Sequence, residues 1–145
     1  MQHKSHIYDN IMKKKILVTG GAGYIGSHTV VELFLSGYQP IIVDNMCNTS
    51  ERNIIGINNL LKTTIPFHNI DCTDLDQMNI FFENHKDIHA VIHFAAYKSV
   101  GESIENPEKY YKNNIGSTEV LLKCLEKNKF KNLIFSSSCT VYGMP

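Results

Sequence analysis

Three evenly spaced glycines follow an apolar run near the start of the chain. Gly20, Gly23 and Gly26 come after residues 16–18 and before an apolar-rich segment that stops at Gly37. This order is typical of a strand, a tight turn and a helix. Gly20 would permit the turn, Gly23 would let the backbone approach a pyrophosphate, and Gly26 would let the helix pack closely on the sheet. The pattern predicts dinucleotide binding, although glycine triplets also occur in ordinary turns.

Apolar runs and helical periodicity alternate along the rest of the chain. We predict strands at 15–19, 41–44, 65–70, 90–94 and 132–135, and helices from the glycine loop to Ser36, over 51–62, over 74–86 and from Pro107 onward. Residues 95–106 are predicted to form a loop. The last helix is expected to bury Tyr111, Ile115, Thr118, Leu122 and Leu125.

This alternation predicts an α/β fold, a Rossmann-type doubly wound parallel sheet that is truncated after about five strands. If the strand order is 3-2-1-4-5, ligands are expected at the carboxyl ends of the strands. Residues 1–12 are polar and without periodicity, so they are expected to be a flexible extension before an incomplete domain over 13–145.

Composition limits the classes of partner. The 14 basic residues balance the 14 acidic ones, so net charge favours neither a nucleic acid nor an anionic membrane. The four cysteines are widely spaced, which indicates reduced thiols and a cytoplasmic protein. No apolar run reaches the roughly 18 residues of a membrane span. His89 and His93 would lie about 13 Å apart along a strand, so no metal site is predicted.

Two carboxylates follow predicted strands. Asp44 can accept hydrogen bonds from both ribose hydroxyls of an adenosine, and its charge would repel a 2′-phosphate. No arginine follows it before Arg52. Asp44 therefore favours NAD over NADP. Asp71 could accept an adenine amino hydrogen or cap a helix, although Thr73 and Asp74 are better placed for capping.

Three further polar side chains have two interpretations each. Asn114 shares the predicted buried face of the last helix, where it is either a hydrogen-bonded core amide or a ligand contact. Ser138 and Thr140 follow the fifth strand, where hydroxyls either face a substrate or form a turn.

Five segments of the chain resemble the UDP-glucose 4-epimerases of the extended short-chain dehydrogenase/reductase superfamily. They are residues 19–26, 44–49, 93–103, 110–114 and 135–143, and the resemblance extends over about 13–143. Residues 98–103 and 136–143 are more particular to the epimerases than the glycine loop is. The resemblance implies a tightly held NAD, a UDP-hexose substrate, and interconversion of UDP-glucose and UDP-galactose through a 4-keto intermediate.

The resemblance also implies site residues by position. Besides the three glycines, the family's NAD contacts correspond to Tyr24, Ile25, Asp44, Asn45, Met46, Cys47, Asn48, Thr49, Asp71, Cys72, Phe94, Ala95, Ala96, Tyr97, Lys98 and Asn114. The expected substrate-binding residues are Lys98, Ser138 and Thr140, and the latter two are the expected catalytic hydroxyls. Cys72 and Ala96 depart from the residues that are common in the family, which are a larger aliphatic residue and glycine.

The family's catalytic base is absent from these residues. It is a Tyr in a Tyr-x-x-x-Lys pair, and none of the seven tyrosines has Lys four positions later. The chain is thus expected to be an N-terminal portion that is inactive alone, with the helix from Pro107 as its candidate homodimer surface. Alternatives are another NAD-dependent nucleotide-sugar epimerase or dehydratase, or a non-catalytic dinucleotide-binding module.

Overall fold

The computed structural model describes residues 13–138, 141 and 143. The predicted extension 1–12 and the predicted catalytic residue Thr140 lie outside them. The strands are β1 (Lys15–Thr19), β2 (Gln39–Asp44), β3 (Phe67–Asn69), β4 (Ile88–His93) and β5 (Leu133–Phe135). The helices are α1 (Tyr24–Leu35), α2 (Glu51–Leu61), α3 (Leu75–Asn84), α4 (Val100–Glu105), α5 (Pro107–Tyr110) and α6 (Gly116–Lys127), and a π-helical turn (Tyr111–Ile115) joins the last two.

The five strands form one parallel sheet in the order β3-β2-β1-β4-β5. The predicted Rossmann-type fold and strand order are therefore confirmed. β1 lies at the centre, and its last residue Thr19 is opposite Val43 on one side and His93 on the other. All five strands point the same way, so the loops that follow them meet at one edge of the sheet. We call this edge the carboxyl edge.

Both faces of the sheet are covered, which explains why the strands are continuously apolar. Leu17 and Val91 point to one face, where they pack with residues of α3 and α6 such as Phe82 and Leu121. On the opposite face, residues of β1, β2 and β4 pack against α1 and α2; they include Ile16, Val18, Ile42 and Ile92. Among the described residues, no helix is both long and apolar enough to cross a membrane.

The predicted loop 95–106 is wrong in part, because it contains the helix α4. Ser99 caps this helix through a hydrogen bond that its hydroxyl accepts from Glu102 N at 3.4 Å. The third strand is also shorter than predicted. Ile65 N donates to Asn58 Oδ1 at 2.9 Å instead of pairing with β2, and Pro66 has no N–H to donate.

The helix predicted from Pro107 begins there, but its predicted buried face is wrong. Leu125 is buried and Thr118 is half-buried, whereas Tyr111, Ile115 and Leu122 are exposed. The residues of α6 that face the core are Ser117, Leu121, Cys124 and Leu125. The half-buried Tyr110 and Asn114 continue this face with helical spacing, so it lies one residue before most of the predicted stripe. Apolar residues occupy both 121 and 122, and the apolar pattern therefore does not fix the phase of the helix.

The tight contact between α1 and the glycine loop can be tested by substitution. A Cβ at Gly26 would overlap the Gly20 carbonyl oxygen and lie 2.8 Å from Gly21 Cα. We expect Gly26→Ala to lower the free energy of unfolding by about 1–3 kcal/mol, measured by urea denaturation. Gly56→Ala is the matched control, because a Cβ there meets nothing within 4 Å and alanine favours the helix by up to about 1 kcal/mol. A Gly26→Ala variant as stable as the wild type would contradict the close contact.

Candidate cofactor-binding site

The glycine loop turns sharply out of β1 and lies against two neighbouring segments. Gly20 has a φ of +68°, the left-handed conformation that glycine adopts without strain. Its N–H donates to Val43 O at 2.8 Å. A Cβ at Gly20 would come within 2.7 Å of Ala95 N, so the loop touches the segment that follows β4.

The N-terminus of α1 differs from those of α2, α3 and α4. Its N-cap is Gly23, no side chain caps it, and its first turn carries no acidic residue. The side chains of Ser50, Asp74 and Ser99 cap α2, α3 and α4. Among the described residues, no side chain caps the first N–H groups of α1, and together with the helix dipole these groups favour a bound anion. Tyr24 and Ile25 are exposed at this end.

Asp44 joins the glycine loop to the loop that follows β2. The residue is 6% exposed. Its Oδ2 accepts a hydrogen bond from Ala22 N at 3.0 Å, and its Oδ1 accepts one from Met46 N at 2.9 Å. Asn53 supports the same loop from α2, since its Nδ2 donates to Ala22 O at 2.7 Å. Asp44 and Asn53 both hold the glycine loop through the backbone of Ala22. The sequence does not indicate this role, because Ala22 is distant from both residues along the chain.

Asp71 joins the next pair of loops. Its Oδ2 accepts from Asn45 Nδ2 at 2.9 Å, and its Oδ1 accepts from the backbone N–H and the hydroxyl of Thr73 at 2.8 and 2.7 Å. Burial alone would raise the pKa of Asp71, but these hydrogen bonds outweigh it and lower the pKa. Asp74 caps α3 by accepting from Gln77 N at 3.0 Å, as the sequence indicated.

The two cysteines among the predicted cofactor contacts differ in exposure. Cys72 packs in the core, and burial, followed by the charges of Asp71 and Asp44, raises the pKa of its thiol to about 12. A cofactor contact of Cys72 would therefore involve its backbone. Cys47 is exposed, and its thiol forms a hydrogen bond with the Tyr97 side chain that raises the pKa of Tyr97.

Asn114 fixes the segment 94–98. Its Oδ1 accepts from Tyr97 N at 2.8 Å, and its Nδ2 donates to Tyr97 O at 2.9 Å. The amide is half-buried and bonded to backbone, which explains a polar residue on a helix face that packs toward the sheet. Ala95 and Phe94 are half-buried, whereas Ala96 and Lys98 are exposed at the carboxyl edge.

A second set of polar contacts holds α4 against α5. Tyr110 accepts a hydrogen bond from Ser99 N at 3.1 Å and donates one to Glu102 Oε2 at 2.8 Å. Lys109 pairs with Glu102 Oε1, and its ammonium lies 4.6 Å from the centre of the Tyr97 ring. The hydrogen bonds from Lys109 and Tyr110 lower the pKa of Glu102. These contacts give Glu102 a structural role that its place in the sequence did not reveal.

A buried histidine lies beneath the loops. His93 is 3% exposed at the end of β4, its Nδ1 lies 2.6 Å from Thr19 Oγ1, and its Nε2 lies 3.3 Å from Thr118 Oγ1. Burial lowers the pKa of His93 to about 4. The sequence marks it only as a polar residue that ends an apolar strand.

Ser138 is exposed beyond β5, at the same carboxyl edge. Ser136 N donates to His93 O at 3.2 Å and extends the pairing of β5 with β4 toward it. Thr140 lies outside the described residues. The structure thus joins the glycine loop and the loops that begin at Asp44, Asp71 and Phe94 through direct contacts, and it places Lys98 and Ser138 beyond the ends of β4 and β5.

Comparison with known proteins identifies the family. The profile of the NAD-dependent epimerase/dehydratase family matches residues 16–145. The chain belongs to this family.

Two of the three relatives described next are named as UDP-glucose 4-epimerases. UDP-glucose 4-epimerase of Dictyostelium discoideum is 50% identical over 131 residues, which are 90% of this chain and 38% of that enzyme. Bifunctional protein GAL10 of Pachysolen tannophilus is 54% identical over 128 residues, which are 88% of this chain and 18% of that protein. The crystal structure of UDP-glucose 4-epimerase from Bifidobacterium longum in complex with NAD⁺ and UDP matches with a TM-score of 0.87 and 44% identity, over 91% of this chain and 39% of that chain. The chain thus spans less than two fifths of the length of these relatives.

The burial of His93 predicts a pH-dependent stability. Its pKa falls from an ordinary value of 6.5 to about 4 on folding, so between these pH values the unfolded chain binds the extra proton. The contribution of His93 to the free energy of unfolding is therefore fully present above pH 6.5. It is lost as the pH falls toward 4, by about 3 kcal/mol in total.

We expect His93→Asn to lack this contribution when urea unfolding is compared at neutral pH and near the lower pKa. Burial and the charge of His85 also lower the pKa of His68, but this group is present in both proteins and cancels in the difference. Equal pH dependence in the two proteins would contradict the assignment.

Proposed function

We propose that the chain binds NAD along the carboxyl edge and forms the cofactor-holding part of a UDP-glucose 4-epimerase, with residues 13–145 as the NAD-binding domain. The observation that carries the proposal is the N-terminus of α1, which no side chain caps and which the buried Asp44 holds through Ala22 N. This is the arrangement in which a pyrophosphate is favourable. Membership of the family and the likeness to a relative crystallised with NAD⁺ and UDP support it.

The site residues divide along this edge by chemistry. The pyrophosphate would lie at residues 23–26, where Tyr24 and Ile25 begin α1. Asp44 would face the adenosine ribose, because each carboxylate oxygen can accept more than one hydrogen bond. Asp71 and residues 45–49 would lie beside the adenine, and residues 94–98 beside the nicotinamide ribose. Ser138 and Thr140 would hold a hydroxyl of the hexose.

Bound NAD⁺ would supply the hydride acceptor for oxidation at C4 of a UDP-hexose and the hydride donor for its return to the other face. The residues of this chain would bind and orient the cofactor and the sugar. Removal of the hydroxyl proton needs a base, and no Tyr-x-x-x-Lys pair occurs among the 145 residues. We therefore assign cofactor binding, without turnover, to these residues alone. The described cysteines Cys47, Cys72 and Cys124 are free thiols, in keeping with a cytoplasmic enzyme.

Titration calorimetry with NAD and NADP tests the proposal. The wild-type chain should bind NAD more tightly than NADP, because the Asp44 charge repels a 2′-phosphate. Asp44→Ala should weaken NAD binding by about tenfold or more and reduce the preference for NAD, since hydrogen bonds to a charged group are lost. Asn53→Ala is the matched control: it removes the 2.7 Å hydrogen bond to Ala22 O, so it should weaken both cofactors and leave their ratio unchanged.

Circular dichroism on each sample would establish that the protein is folded. A folded wild-type chain that binds neither cofactor, or an Asp44→Ala variant with an unchanged ratio, would contradict the proposal.

We also propose that the exposed face of the segment 107–127 pairs with the same face of a second copy. Tyr111, Ile115 and Leu122 are spaced by four and seven residues, and each is about half exposed or more. Soluble monomers rarely expose an apolar stripe of this kind. A homodimer would bury it through an isologous contact, in which each copy contributes the same side chains.

Sedimentation velocity tests the dimer. Ile115→Lys should raise the dissociation constant at least about tenfold, because it places a charge in the contact. Ile55→Lys is the matched control, since Ile55 is 55% exposed and Ile115 is 56% exposed, and Ile55 lies on α2. A wild-type chain that remains monomeric at concentrations near 100 µM, or equal effects of the two substitutions, would contradict the proposed surface.

A further inference from the structure

The contacts of His93 form a directed hydrogen-bond chain. Thr118 Oγ1 lies 2.9 Å from Asn114 O, which can only accept, so the single hydroxyl proton of Thr118 is donated there. Toward His93 the same oxygen must therefore accept, and the donor is Nε2–H at 3.3 Å. In a neutral imidazole Nδ1 then has no proton and accepts from the Thr19 hydroxyl at 2.6 Å. The ring is the neutral Nε2–H tautomer.

Neighbouring groups agree with this assignment. Burial lowers the pKa of His93 to about 4, so the ring is neutral near pH 7. The Cys72 thiol is uncharged, since burial raises its pKa to about 12. The Phe135 ring stacks on the imidazole with 5.9 Å between the centroids. These neighbours favour an uncharged ring held in one orientation.

The chain of hydrogen bonds links the two sides of the carboxyl edge. At one end Thr19 directly precedes Gly20 and the glycine loop. At the other end Asn114 O receives the Thr118 hydroxyl, while the Asn114 side chain holds the backbone of Tyr97 through two hydrogen bonds. His93 therefore connects the loop after β1 to the helix that fixes the loop after β4.

We propose that His93 is a positioning residue that, as the neutral Nε2–H tautomer, sets the glycine loop and the segment 94–98 at the separation that a dinucleotide requires. This rests on the proposed function. His93 is buried beneath the site, so it acts through Thr19 and through Thr118 and Asn114. Its hydrogen-bond pattern admits one ring orientation, which excludes alternative positions of the two loops.

Substitution of Thr118 tests the proposal without removing the histidine. Thr118→Val has nearly the same shape but leaves Nε2–H without its acceptor, whereas Thr118→Ser keeps the hydroxyl. Thr29→Val is the matched control: Thr29 Oγ1 donates to Ile25 O at 3.0 Å, a bond of the same type on α1. Each variant is examined as the full chain.

The first measurement is long-range ¹H–¹⁵N NMR of the histidine rings without cofactor, at pH 7. We expect His93 to be the Nε2–H tautomer in the wild type, Thr118→Ser and Thr29→Val, and to lose this signature in Thr118→Val. An Nδ1–H or doubly protonated ring in the wild type would overturn the proposal. So would an unchanged ring signature in Thr118→Val.

The second measurement is NAD affinity by calorimetry. Thr118→Val should bind NAD about tenfold more weakly than the wild type, with Thr118→Ser and Thr29→Val within about twofold of it. Binding by Thr118→Val at wild-type strength would overturn the positioning role. A folded wild-type chain that binds no NAD would instead contradict the proposed function. In that case the NMR signature of the ring still tests the proposed hydrogen bonds of His93.

Discussion

The carboxylate of Asp44 is the interaction on which the rest of the site depends. A buried charge is costly unless it is fully hydrogen-bonded, and backbone N–H groups from two separate loops bond to this one. Ala22 N belongs to the glycine loop and Met46 N to the loop after β2, so the carboxylate fixes the distance between them. Because it also lies beside the open N-terminus of α1, the same group that stabilises the loops is available to select the cofactor. Its structural and proposed binding roles are therefore not separable by simple removal, and the ratio of NAD to NADP affinity is the informative quantity.

The sheet could be predicted from the sequence because its physical causes are local. Runs such as Ile16, Leu17 and Val18 alternate between two covered faces, and the glycines mark where β1 must turn. The region 95–115 could not be predicted in the same way. Helix α4 depends on the Ser99 cap and on contacts of Glu102 with residues of α5. The helical periodicity of apolar residues does not indicate either of them. The buried face of α6 could not be chosen from the apolar pattern, because Leu121 and Leu122 lie on neighbouring faces and only Leu121 is buried.

The candidate site could also be predicted only in part. Resemblance named residues along the carboxyl edge, and the structure describes all of them except Thr140. Not all of their partners were predictable, because Asp44, Asp71 and Asn114 each bond to at least one group that is distant in sequence. His93 lies under the site instead of in it, so neither a binding motif nor its spacing from His89 indicates what it does. A polar residue at the end of a buried strand needs partners, and this is the general signal that directs attention to it.

The central claim is that a dinucleotide binds along the carboxyl edge of this sheet. The most direct measurement is a titration of the ¹⁵N-labelled chain with NAD, followed through the backbone amide resonances. The account predicts saturable shifts at residues 21–26, at Met46 and at Tyr97. Shifts confined to His28, Glu32 and Tyr38, which line a groove beside α1, would contradict it, as would the absence of any saturable shift in the folded chain.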